Sequence, residues 1–169
     1  MRIGFKKVEI AVIGIGQSLR GDDAAGLKSV RLWQQLYPGS GSRVTVELCE
    51  LPGLALLDLL DGLDAAILVD AVHGPFKSGS LVRVGPDELA AFTPDSQSAH
   101  GWGVAETLSL GRSLYPALAQ CRTTLIGIAG GQFDMGTGLS PEVQTSLREA
   151  VSRIEEEVQA LLNPVKWNK

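Results

Sequence analysis

The chain has 169 residues, 44% of them hydrophobic and 20% charged, with a formal net charge of −4. That is the balance of a globular protein of one-domain length, which buries roughly 70% of its unfolded surface on folding. The negative charge, with no run of Lys or Arg, excludes a general nucleic-acid surface. The apolar stretch Ile10 to Ile15 is too short for a signal peptide's apolar region or a membrane span, so a cytoplasmic protein without membrane contacts is expected.

The segment Val8 to Gly14 is a nearly continuous apolar run ending in glycine, which predicts a strand buried on both faces of a parallel sheet. Ala24 to Tyr37 predicts a helix, with Val30, Trp33 and Tyr37 at spacings of three and four, closed by Pro38-Gly39-Ser40-Gly41. Arg43 to Cys49 reads as a second strand, Gly53 to Leu60 as a short helix and Ala65 to Val69 as a third strand whose end is Asp70. Ser80 to Val84 is a further strand. A polar stretch, Thr93 to Ala99, leads into a helix from about Gly101 to Tyr115, and Arg122 to Ala129 is the last strand.

The last helix has the clearest signals. Ser140 is an N-cap, Pro141 takes the first helical position and Glu142 complements the helix dipole. Its apolar stripe is Val143, Leu147, Val151, Ile154, Val158 and Leu161. Strands alternating with helices imply an α/β three-layer sandwich around a mostly parallel sheet of about five strands. One domain is expected over residues 1–162, followed by a loose tail at 163–169. Cys49 and Cys121 belong to separate strands without CxxC spacing, which fits buried thiols better than a disulfide or a zinc site.

In open α/β sheets, sites gather outside the C-terminal ends of the strands. Three segments carry polar groups there: Gly14 to Asp23 after the first strand, Asp70 to Gly74 after the third, and the loop with His100. Gly14 and Gly16 begin a GxGxxG pattern, but Leu19 occupies the third glycine position and two acids would repel a pyrophosphate, so a nucleotide site is disfavoured. Ser18 lacks a GxSxG elbow. Asp22 is the natural cap of the first helix, which leaves Asp23 in the first turn to face the crevice. Asp70 and His100 each have a bland reading, as a turn cap and a loop histidine. Two carboxylates and an imidazole from different loops at one sheet edge nonetheless make a plausible open site for a borderline divalent ion such as nickel or zinc. His73 reads as a loop residue, with an auxiliary ligand or a substrate contact as the alternative.

These residues resemble the hydrogenase maturation endopeptidases. Gly14 to Gly26 resembles the family's opening pattern GxGN-x-L-x-x-D-[DE]-x-x-G, and Gly53 with Leu56-Leu57-Asp58-Leu59-Leu60 its glycine-then-leucine helix. Ile67 to Val72 resembles its third-strand motif, Ser98-Ala99-His100-Gly101 its histidine loop, and Gly136 to Val143 the lead into its last helix. The matches run in order from about Val8 to Leu161. The chain departs from the family at Gln17, where asparagine is usual, and at Ala129-Gly130-Gly131-Gln132, where many members carry Glu-Pro.

The resemblance implies an endopeptidase that removes the C-terminal extension of the large subunit of a nickel-iron hydrogenase once nickel has been inserted. It implies that Asp23, Asp70 and His100 bind the metal, nickel carried by the substrate with other divalent ions as substitutes. Asp23 or Asp70 doubles as general base in that reading, and the precursor large subunit is the partner. The alternatives are a metal-dependent hydrolase of the same fold with another substrate, and a nickel-sensing scaffold that binds without cutting.

Overall fold

The computed structural model describes residues 8–50, 53–91 and 103–163. Five strands form one sheet: β1 (Ile10–Ile15), β2 (Thr45–Cys49), β3 (Ala65–Val72), β4 (Leu81–Val84) and β5 (Arg122–Ala129). Their order is β2-β1-β3-β5-β4, with β4 antiparallel to β5 and every other pair parallel. The helices are α1 (Ala25–Leu36), α2 (Pro38–Gly41), α3 (Leu54–Leu60), α4 (Pro86–Ala91), α5 (Val104–Leu114) and α6 (Pro141–Leu162). Short 3-10 turns precede α1 at Gly21–Ala24 and β5 at Pro116–Gln120.

Alternation along the strands divides the core into two layers. Val12, Ile67, Val69, Ile126 and Ile128 pack against Val30 and Trp33 of α1 and Val143, Val151, Ile154 and Val158 of α6. Ala11, Ile13, Ala66, Leu68 and Leu125 face Leu56, Leu57 and Leu60 of α3, Leu89 of α4 and Val104 and Leu108 of α5. The three-layer sandwich with a mostly parallel five-stranded sheet is as expected. The stripe of α6 is buried from Val143 to Val158, with Leu161 only partly covered at its end.

Several boundaries differ from the sequence reading. Pro38 to Gly41, read as a terminator, forms a helical turn of its own because Pro38 is preset for a first helical position. Helix α4 was not anticipated, although it begins with Pro86 and the acids Asp87 and Glu88. Glu88 Oε2 accepts the Gly85 amide at 2.7 Å, the reciprocal half of a capping box. Strand β3 runs three residues beyond Val69, because β5 continues to pair with it as far as Val72↔Ala129. Asp70 therefore lies inside a strand rather than at its end. The expected polar stretch Thr93 to Ala99 and the start of the next helix at Gly101 fall outside the described residues, as does the tail beyond Asn163.

Cys49 and Cys121 are buried thiols not joined in a disulfide. Among the described residues no helix is long and apolar enough to cross a membrane.

Because Ile154 is fully buried and Leu161 is not, truncation of the two positions separates core packing from peripheral cover. Ile154→Ala is expected to lower stability by about 3 kcal/mol and Leu161→Ala by about 1 kcal/mol in urea denaturation.

Candidate functional site

The topology creates the site. From β1 the chain crosses to β2 on one side by way of α1, and β3 lies on the other side of β1. The C-terminal ends of β1 and β3 are thus the point at which the strand order reverses, where the crevice of an open α/β sheet opens. A cavity of about 880 Å³ lies there, lined by Asp23, Asp70, Arg20, His73, Glu106 and Phe133, with Ala71, Val72, Leu125 and the start of α5 completing it.

Asp23 reaches the cavity from the 3-10 turn that follows β1. The turn comes so close to the end of the strand that a Cβ on Gly16, whose φ is +140°, would sit 1.8 Å from the Asp23 carbonyl oxygen. Only glycine is compatible with that approach. Asp23 Oδ2 accepts the Gln17 amide at 2.9 Å. Gln17 contributes its backbone there, so this contact is indifferent to the exchange of glutamine for asparagine.

Asp70 pairs with Gly127 in the β3–β5 register, one residue past the last β1 partner, Gly14↔Val69. Its parity is that of Ala66 and Leu68, which face the α3–α5 layer. The carboxyl therefore enters the apolar layer at the point where β1 stops flanking it. Burial pushes it up to about 7, and the negative charge of Asp23 adds to the shift, while a hydrogen bond from the Ala71 amide opposes it.

Asp22 does not cap α1, whose N-cap makes no side-chain hydrogen bond. It is fully buried and turned the other way. Its Oδ2 accepts the amides of Gly131 at 2.8 Å and Gln132 at 3.0 Å and the Ser140 hydroxyl at 3.0 Å, and its Oδ1 accepts the Ser140 amide at 2.7 Å. Burial raises its carboxyl, but these donors outweigh it and hold Asp22 below the usual carboxylate range. The acid expected to cap the first helix is instead bound at the N-cap of the last. Ser140 in turn accepts the Val143 amide, as expected of the α6 cap.

Ser18, which lacks a nucleophile elbow, donates instead to Glu50 Oε2 at 2.9 Å. His73 is exposed and its ring lies on Phe133, with centroids 3.8 Å apart and planes 21° from parallel. Arg20 Nε donates to the Phe133 carbonyl at 3.2 Å. Arg20 and Phe133 were missed in the sequence. Arg20 sat unremarked in the opening motif, and nothing local marks a phenylalanine in a glycine-rich loop as part of a site.

His100, the third expected ligand, lies outside the described residues. Among those described, no group of three His, Cys, Asp or Glu side chains is arranged to hold a metal ion. The two carboxylates do fit part of a cation site: hard oxygen donors in one cavity, one of them raised partly by the charge of the other.

The two aspartates have opposite pH signatures. Asp70 ionises higher in the folded chain than in the unfolded one, so folding takes up a proton between about pH 4 and 7. In chelator-treated protein its contribution to stability falls as pH rises through that window, and Asp70→Asn removes this slope from denaturation curves taken at pH 5 and 8. The Asp22 contribution is present above about pH 4 and is lost on further acidification. Asp22→Asn is expected to cost about 2–3 kcal/mol at neutral pH, read by urea denaturation.

Residues 51–157 match the HycI family model, described as hydrogenase maturation protease. The chain is 28% identical over 160 residues to the hydrogenase expression/formation protein HupD of Rhodobacter capsulatus, covering 92% of this chain and 74% of that one. It is 30% identical over 149 residues to HupD of Thiocapsa roseopersicina, covering 85% of this chain and 64% of that one. The solution structure of an endopeptidase from Escherichia coli superposes with a TM-score of 0.73 at 21% identity, covering 92% of this chain and 94% of that one. The hydrogenase maturating endopeptidase HybD of E. coli gives 0.68 at 24% identity, with 90% and 93% covered. At these identities the structural likeness speaks for the fold, and the family match over residues 51–157 speaks for descent: the chain belongs to the hydrogenase maturation protease family.

Proposed function

We propose that this protein is an endopeptidase that removes the C-terminal extension from the large-subunit precursor of a nickel-iron hydrogenase. The observation that carries the reading is the pair Asp23 and Asp70, placed in one cavity at the switch point of the sheet and coupled in charge. Family membership supplies the reaction class, and the relatives' names supply the setting of hydrogenase maturation.

In this reading Asp23, Asp70 and His100 hold the nickel that the precursor itself brings, so the metal belongs to the substrate. His100 precedes Gly103 by three residues, a length of chain of no more than about 11 Å, and Gly103 lines the cavity. A bound divalent ion would polarise a carbonyl or lower the pKa of a water. Asp70, raised to about 7 in the metal-free cavity, is drawn to its carboxylate form by a bound cation, and in that form it or Asp23 serves as general base for attack on the scissile bond. Asp23 is tethered by the Gln17 amide and keeps its carboxylate aimed across the same space. The cytoplasm is the proposed compartment.

Intact-mass spectrometry of the partner hydrogenase's large-subunit precursor tests the proposal. Loss of a C-terminal peptide is expected only from the nickel-loaded precursor. Asp70→Asn, Asp23→Asn and His100→Ala should each slow this cleavage at least ~100-fold while circular dichroism remains that of the parent. Tight binding with an unchanged precursor mass would favour a scaffold. Wild-type rates in the aspartate variants would overturn the assignment of the site.

A further inference from the structure

His73 and Phe133 line the cavity but have no place in the proposed ligand set. The ends of β3 and β5 bring them together. The two strands remain paired to Val72 and Ala129, and the Gly130 amide donates to the Val72 carbonyl at 3.1 Å, so His73 and Gly130 leave the sheet side by side. Phe133 then folds back over Gly130. A Cβ at Gly130 would lie 2.5 Å from Phe133 Cζ and 2.9 Å from Asp22 Cβ, so a larger residue would push the ring aside. The ring instead lies flat against His73. Its loop is held on one side by Asp22, through the amides of Gly131 and Gln132, and on the other by Arg20, through the Phe133 carbonyl.

Asp23, Asp70 and His73 line one cavity, yet they do not form a group of three able to hold a metal ion. What the stack supplies is a flat, largely apolar surface whose backbone is already fixed. Such a surface takes an aliphatic or aromatic side chain with little further loss of conformational freedom. It stands beside the two carboxylates, where a peptide being cut must be held in register.

We propose that the His73–Phe133 stack is the substrate-positioning wall of this site, against which the precursor rests an apolar side chain next to the scissile bond. This rests on the reading of the cavity as the precursor-processing centre. His73 acts here through the face of its ring, so another flat ring should replace it.

Steady-state cleavage of the nickel-loaded large-subunit precursor tests the proposal. His73→Ala and Phe133→Ala should raise KM about tenfold or more and change kcat by less than about threefold. His73→Phe should remain within about threefold of the parent KM. Met135→Ser, at a position 69% exposed on the same loop, should leave both constants unchanged. An unaltered KM in the alanine variants, a loss of kcat at constant KM, or a His73→Phe enzyme as impaired as His73→Ala would overturn the proposal. If Phe133→Ala loses its cooperative melting transition, the exposed His73 pair decides alone. Absence of cleavage by the parent protein would defeat the functional reading and this one with it. Cleavage by the parent with indifferent variants would defeat this one only.

Discussion

The carboxylate of Asp22 is buried completely and takes four hydrogen bonds from residues more than a hundred positions away. A buried charge is tolerable only when its lone pairs are satisfied, and here the donors are the amides of Gly131, Gln132 and Ser140 and the Ser140 hydroxyl. The bonds join the loop after β1 to the loop after β5 and to the first turn of α6. Backbone pairs reinforce the seam, with the Asp22 amide on the Gln132 carbonyl at 2.7 Å and the Gly136 amide on the Leu19 carbonyl at 2.7 Å. Neighbouring side chains in a 3-10 turn point about a third of a turn apart. With Asp22 turned into the seam, Asp23 is left to face the cavity.

The second constraint is the strand order. Since the chain leaves β1 toward β2 and leaves β3 toward β4 and β5, the connections from the C-terminal ends of these two neighbouring strands run in opposite directions and open the edge where Asp23 and Asp70 meet. Asp70 is held by ladder bonds to β5 and points into a layer otherwise occupied by Leu68, Leu125 and the α5 residues Val104 and Leu108. A carboxyl in that position is expensive to ionise without a counter-charge, which is what a cation brought by a substrate would supply. Two acids thus take opposite parts: Asp22 is saturated by donors and stabilises the fold, whereas Asp70, for which the Ala71 amide does not offset burial and the charge of Asp23, is left in need of a counter-charge.

Rigidity follows from where the groups sit. One carboxylate is on a strand, the other on a turn fixed by Gly16 and the Asp22 seam, and the His73–Phe133 stack rides on the diverging ends of β3 and β5. Sites carried by packed elements hold their geometry more closely than sites on unsupported loops. The seam also couples the cavity to α6, because Ser140 serves Asp22 and the helix cap together.

The features governed by neighbours in sequence were legible without the structure. The apolar run of β1, the stripe and caps of α6, the span of β5 and the three-layer class all depend on local periodicity and on preferences of Ser, Pro and Gly for particular positions. Asp23 and Asp70 were legible too, as acids stranded beside apolar runs and as matches to a family pattern. Tertiary structure alone decided the rest. Asp22 looked like the cap of α1 because capping is a local rule, and donors at separations of 109 to 118 residues overrode it. Strand β3 outran its apolar run because β5 continued to offer it ladder partners. Phe133 meets His73 because glycine at position 130 lets the chain fold back, a contact across 60 residues that no spacing rule encodes. Local chemistry fixes which segments form; which side chains share a cavity depends on how the strands are ordered, and that order is settled only when the core is packed.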